Sequence, residues 1–117
     1  MNCKALLVGW LLAGAAVAAE VERPAVVGHI ANQAGGQITL TMRTSKKCAE
    51  REAVFAYVRD AGGRISLTGC WKTHGEDIFV FWDDGDVFSY PLESVQMTDE
   101  WLRYMEQEAA REKEATT

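Results

Sequence analysis

Histidine, cysteine and basic residues are all scarce in this chain. Its 117 residues include two histidines, three cysteines and twelve Lys+Arg against seventeen Asp+Glu. The formal net charge of −5 argues against nucleic acid as a partner, because phosphate binding needs basic patches. It argues equally against an anionic membrane surface, and leaves a basic protein partner or plain solubility. There is no C-x-x-C, G-x-S-x-G or H-E-x-x-H, so no nucleophile stands in a recognised catalytic context and no zinc motif is spelled out. Also missing is an apolar run of roughly 20 residues, the length a membrane-spanning helix needs.

What the chain does have begins at its start. Met1-Asn2-Cys3-Lys4 is short and positively charged, an apolar stretch follows from Ala5, and Ala16-Val17-Ala18 is a small-x-small triplet. These are the three parts of a secretory signal peptide over residues 1–18, with cleavage expected after Ala18 or Ala19. An uncleaved anchor is the alternative, disfavoured by the stretch's length of about fifteen residues and by Gly9 and Gly14. Cys3 precedes the apolar stretch, which does not suit a lipoprotein. The alanine-rich style is bacterial, so the expected address is the periplasm or the medium.

Removal of 18 residues leaves 99, one small domain with a thin margin of stability. Lys4 leaves too, taking the net charge to −6. Cys48 and Cys70 remain, and an even count of two in an oxidising compartment reads as one disulfide. A redox or metal pair is the rival reading, but a separation of 22 is far from local ligand spacing.

The mature chain alternates strand and turn signals. Ala25–Ala31 is short and apolar, Asn32–Gly36 is a turn, and Ile38, Leu40 and Met42 share one face of the next run. Residues 43–51 read as a polar, basic loop. Residues 53–59 favour strand by their β-branched and aromatic content, with a short helix from Ala53 as the alternative. Arg64–Trp71 is another strand, in which Gly69 marks a bulge or a close backbone approach at the Cys48–Cys70 bridge. Asp77–Trp82 is apolar on both faces and reads as a central, doubly buried strand. Asp83-Asp84-Gly85-Asp86 is a hairpin turn, Val87–Tyr90 returns, and residues 92–97 are a link or short edge strand. Thr98 caps a helix over residues 98–113 whose first turn holds Asp99 and Glu100. Trp101, Leu102, Met105 and Ala109 recur at helical spacing and are expected to face the sheet.

The expected fold is therefore mainly β within the α+β class. It is an antiparallel meander of five or six strands over residues 25–97, with one C-terminal helix on or beside it. One helix cannot cover a whole sheet, so the sheet must curl or close into a small barrel.

Several blocks carry a resemblance: Gly35-Gly36-Gln37-Ile38-Thr39-Leu40-Thr41, Cys48, Gly69-Cys70-Trp71, Val80-Phe81-Trp82-Asp83-Asp84-Gly85-Asp86 and Tyr90-Pro91. Over roughly residues 28–92 the chain resembles short exported proteins of bacterial phages and prophages. The resemblance implies a compact disulfide-linked β fold and carries no activity with it.

The candidate sites are modest. Asp83, Asp84 and Asp86 surround Gly85 without the spacing of a Ca²⁺ loop, so a hairpin turn is the plainer reading. His29 and His74, with Glu76 or Asp77, are too scattered for a metal site. No metal and no cofactor is expected. Eight aromatic residues between Trp71 and Tyr104 form either core or an exposed interaction patch. The expected function is a non-catalytic binding or inhibitor-type module acting by protein–protein contact, with Trp82, Asp83, Asp84 and Asp86 at the projecting tip. A small periplasmic hydrolase and a self-associating envelope component are the alternatives. Protein purified from its native host is expected to begin at Ala19 or Glu20 by mass and to titrate no free thiol; an intact Met1 with two free thiols would overturn both readings.

Overall fold

The computed structural model describes residues 22–32 and 34–115; the expected signal peptide lies outside the described residues. Pro24–Leu102 forms one compact unit, and Arg103 onward belongs to a second. The first unit is a seven-stranded, wholly antiparallel sheet: β1 (Val26–Ala31), β2 (Gln37–Thr41), β3 (Val54–Arg59), β4 (Ile65–His74), β5 (Asp77–Trp82), β6 (Val87–Pro91) and β7 (Gln96–Met97). The first six pair in chain order, and β7 returns to pair with β1, giving β6-β5-β4-β3-β2-β1-β7.

That order forces curvature. In a flat sheet six spacings of roughly 4.8 Å would hold β6 and β7 about 29 Å apart. The link from Pro91 to Gln96, a single 3₁₀ turn at Leu92–Ser94, reaches at most about 18 Å when fully extended. The sheet therefore curls into a half-barrel. Its hollow face is the core: Val27, Ile30, Ile38, Leu40, Ala56, Trp71, Ile78, Val80 and Trp82 are buried together. The Trp71 indole N–H donates to Thr41 O at 2.8 Å, so the ring is buried without an orphaned donor.

Local chemistry sets the turns. The Asn32 side-chain oxygen accepts from the N–H groups of Ala34 and Gly36 at 3.0 and 2.8 Å. Asp60 does the same for Gly62 and Arg64 at 2.9 and 3.0 Å. Both are Asx turns.

The basic segment after β2 is not a plain loop. Ser45 Oγ accepts the Cys48 N–H at 3.1 Å and caps a short helix, α1 (Lys46–Glu50). One hydroxyl supplies an acceptor that the isolated segment would otherwise find in water. The disulfide Cys48–Cys70 fastens α1 to the outer face of β4, where Ala53 and Phe55 complete a second small apolar cluster. Closing a loop of this length contributes about 3 kcal/mol through the unfolded chain.

β5 also departs from expectation. Ile78, Val80 and Trp82 are buried, but Phe79 and Phe81 on the other face are only half-buried, and the strand lies one place in from the edge. In place of a second layer, the Arg51 guanidinium and the Lys72 ammonium cover the Phe81 ring at 5.0 and 5.6 Å from its centroid.

Thr98 anchors the helix α2 (Asp99–Ala115). Its N–H and Oγ1–H donate to Val27 O and Val26 O at 3.0 and 3.3 Å, and its Oγ1 accepts the Trp101 N–H at 3.0 Å. Trp101 packs against the core, as its spacing predicts. Leu102, expected on the same face, is 45% exposed. In the second unit the helix carries an Arg111–Glu108 ion pair at 2.6 Å.

Gly69 sits opposite Trp82, and a Cβ there would lie 2.5 Å from Phe81 O and 2.8 Å from the Trp82 ring. The close approach at Gly69 is thus to β5, and not at the disulfide where the sequence suggests it. Gly69→Ala must push the β4–β5 pair apart and is expected to lower unfolding free energy by about 1–3 kcal/mol, measured by urea denaturation. An unchanged midpoint would show that the pair yields freely.

Candidate functional site

A concavity of the sheet unit lies where the β4–β5 turn, the 3₁₀ turn, β7 and the first turn of α2 meet. It is a cleft of about 670 Å³. Pro91, Leu92, Val95, Met97 and Leu102 provide its apolar lining, and Glu76, Asp77 and Glu93 its charge. No Lys, Arg or His is among the lining residues.

Backbone bonds hold these walls. The Leu92 N–H donates to Glu76 O at 2.8 Å, tying the 3₁₀ turn to the β4–β5 turn, and the Val95 N–H donates to Leu92 O at 3.1 Å. Ser94 Oγ–H donates to Pro91 O at 2.6 Å. Val95 packs against the core, which leaves Leu92, 37% exposed, and the more accessible Leu102 to line the cleft. The arrangement offers fixed apolar contact surrounded by negative charge and suits a group that is greasy and cationic at once.

The charge pattern of the chain reinforces this. Between Lys72 and Arg103 stand eight acidic residues and no Lys or Arg, whereas residues 43–72 hold seven Lys+Arg against three acids. β5, β6 and β7 are therefore the acidic side of the sheet, and α1 with β3 and β4 the basic side. Overall composition hides this division. The thirty-residue stretch without a base was the signal that could have pointed to the cleft.

The tip residues expected to bind have separate fates. Trp82 does not project: it is 6% exposed, with its ring in the core. It shares the parity of Ile78 and Val80, and that periodicity already placed it inward. Asp83 is tied down, accepting from Lys47 Nζ at 2.7 Å and from the Thr68 hydroxyl. The Lys47 hydrogen bond first, then that of Thr68, hold its carboxyl below the usual aspartate range. Asp84 Oδ1 accepts the Asp86 N–H at 3.0 Å and so builds the turn. Among the described residues the Asp86 carboxylate has no internal partner. These acids stand at one end of the β5–β6 hairpin, where Phe81 pairs with Val87; the cleft lies at the other, where Asp77 pairs with Pro91.

The remaining candidates are dispersed. His29 Nδ1 lies 3.1 Å from Thr39 Oγ1, and His74 meets the Phe79 ring edge-on. Among the described residues no group of three His, Cys, Asp or Glu could hold a metal ion, and no helix is long and apolar enough to cross a membrane.

No protein-family model, no curated protein and no solved structure matches the chain.

Asp83 couples the hairpin to α1 and β4 in a pH-dependent way. Its folded pKa is lowered, so its contribution is present above the unfolded value near 4 and fades as pH falls through the folded one. The pair is solvent-exposed and correspondingly weak. Asp83→Asn is expected to cost roughly 0.5 kcal/mol or less at pH 7 and nothing near pH 2, read from melting curves across pH. A cost that persists at low pH would sink this assignment.

Proposed function

We propose that the chain is a non-catalytic, exported binding module that captures a cationic protein in the bacterial envelope through its acid-rimmed cleft. The observation that carries this reading is the cleft itself, with apolar contact at Leu92 and Leu102, three carboxylates and no base. An apolar anchor supplies affinity, while charge around it speeds encounter and selects sign. The disulfide and the absence of a spanning helix among the described residues are compatible with export. The resemblance to short phage and prophage proteins makes an envelope protein or a cell-wall enzyme of the host the natural target. An inhibitor-type role fits a small rigid domain of this kind.

The partner is recognised by its sign of charge rather than by the Asp84–Asp86 tip alone. Capture from periplasmic extract at low and high salt tests this. Wild-type protein is expected to retain a basic protein at about 50 mM salt and to release it at about 500 mM. The triple variant Glu76→Lys, Asp77→Lys, Glu93→Lys is expected to bind at least about tenfold more weakly, whereas Glu50→Lys on α1 leaves binding unchanged. Identical capture by wild type and triple variant would remove the cleft from the reading.

A further inference from the structure

The edge strand β6 borders the cleft and presents an unused row of backbone groups. Two bonds set its phase: Trp82 N–H donates to Asp86 O at 2.8 Å, and Leu92 N–H donates to Glu76 O at 2.8 Å. Pairing alternates along an antiparallel ladder, so Phe88 and Tyr90 bond inward to β5. Val87, Ser89 and Pro91 turn their backbone groups to the open edge. Pro91 has no N–H to offer, which suits that position. Val87 and Ser89 do, and no partner faces them among the described residues.

The side chains here are open as well. Val87 is 54% and Phe88 50% exposed, one on each face of the strand. Tyr90 packs on the core, but Phe88 does not. Edge strands are commonly guarded by lysine or by inward charge; β6 carries neither, and its only guard is the terminal proline. Acids bracket it instead, with Asp84 and Asp86 before it and Glu93 after it.

We infer that β6 receives an extended segment of the partner as an added antiparallel strand, with apolar side chains at alternate positions and Lys or Arg at both ends. This rests on the cationic-partner reading of the cleft and states the form in which that partner binds. Main-chain bonds to Val87 and Ser89 provide pairing, Phe88 provides apolar contact on the face that the partner's alternate apolar side chains share, and the flanking acids select basic ends. A second copy of this chain is a poor occupant, because two β6 strands would bring acids to acids at both ends.

The probe is a synthetic heptapeptide of alternating valine and threonine with a lysine at each end. It is expected to bind wild-type protein by calorimetry and to slow amide exchange at Val87 and Ser89. N-methylation of its alternate amides, which leaves the protein untouched, is expected to weaken binding about tenfold or more. Ser89→Pro is expected to do the same, with Ser89→Ala unaffected. Absence of binding at about 1 mM peptide, equal binding by the methylated peptide, or dimerisation of the protein through β6 would overturn strand addition. If methylation is neutral while the triple cleft variant still loses the peptide, the cleft reading survives alone. If the cleft variant is neutral and methylation is not, strand addition stands without the cleft.

Discussion

The fold depends on a short tether. Four residues separate Pro91 from Gln96, yet β6 and β7 are the two ends of a seven-strand order. A tether that short admits only a curled sheet, and the curl does the rest. It creates an interior in which nine buried side chains meet, and it brings β7 and the first turn of α2 beside the β4–β5 turn to make the cleft. The close approach at Gly69 belongs to the same geometry, since tight curvature brings the Phe81 carbonyl and the Trp82 ring where a larger residue would need room.

The outside of the sheet is managed without a second layer. Arg51 and Lys72 lie over Phe81, and Arg59 over Tyr57, while α1 and the disulfide cover Phe55. Long basic side chains shield aromatic faces with their stems and keep their charges in water. This use of bases on one side of the sheet leaves the other side almost purely acidic.

Much of the fold was legible because its signals are local. Asn32–Gly36, Asp60–Gly63 and Asp83–Asp86 announce turns through side chains that bond their own backbone, and Thr98 announces a helix start in the same way. The alternation of Ile38 and Leu40 marks the core face of β2, although Thr39 and Thr41 on the other face are buried too, so the strand is not half-buried as expected. What stayed hidden is what only pairing creates. β7 is two residues long and is a strand because β1 lies beside it; α1 is five residues held by one hydroxyl and one disulfide. Apolar residues on both faces of β5 suggested double burial, since hydrophobicity does not reveal whether the cover is a protein layer or two cations. Trp82 was read as part of a tip although its parity placed it inside. The cleft draws residues from 76 to 102 together through the curl, and only the missing bases of that stretch hint at it.

The pairing of β7 with β1, and of Thr98 with the carbonyls of Val26 and Val27, joins nearly the first and nearly the last residues of the ordered unit. Contacts so distant along the chain are costly to close and come late in folding. A polypeptide that emerges from its N-terminus therefore cannot finish this sheet until residues 96–98 are free to pair. The last strand to emerge is the one that closes the order.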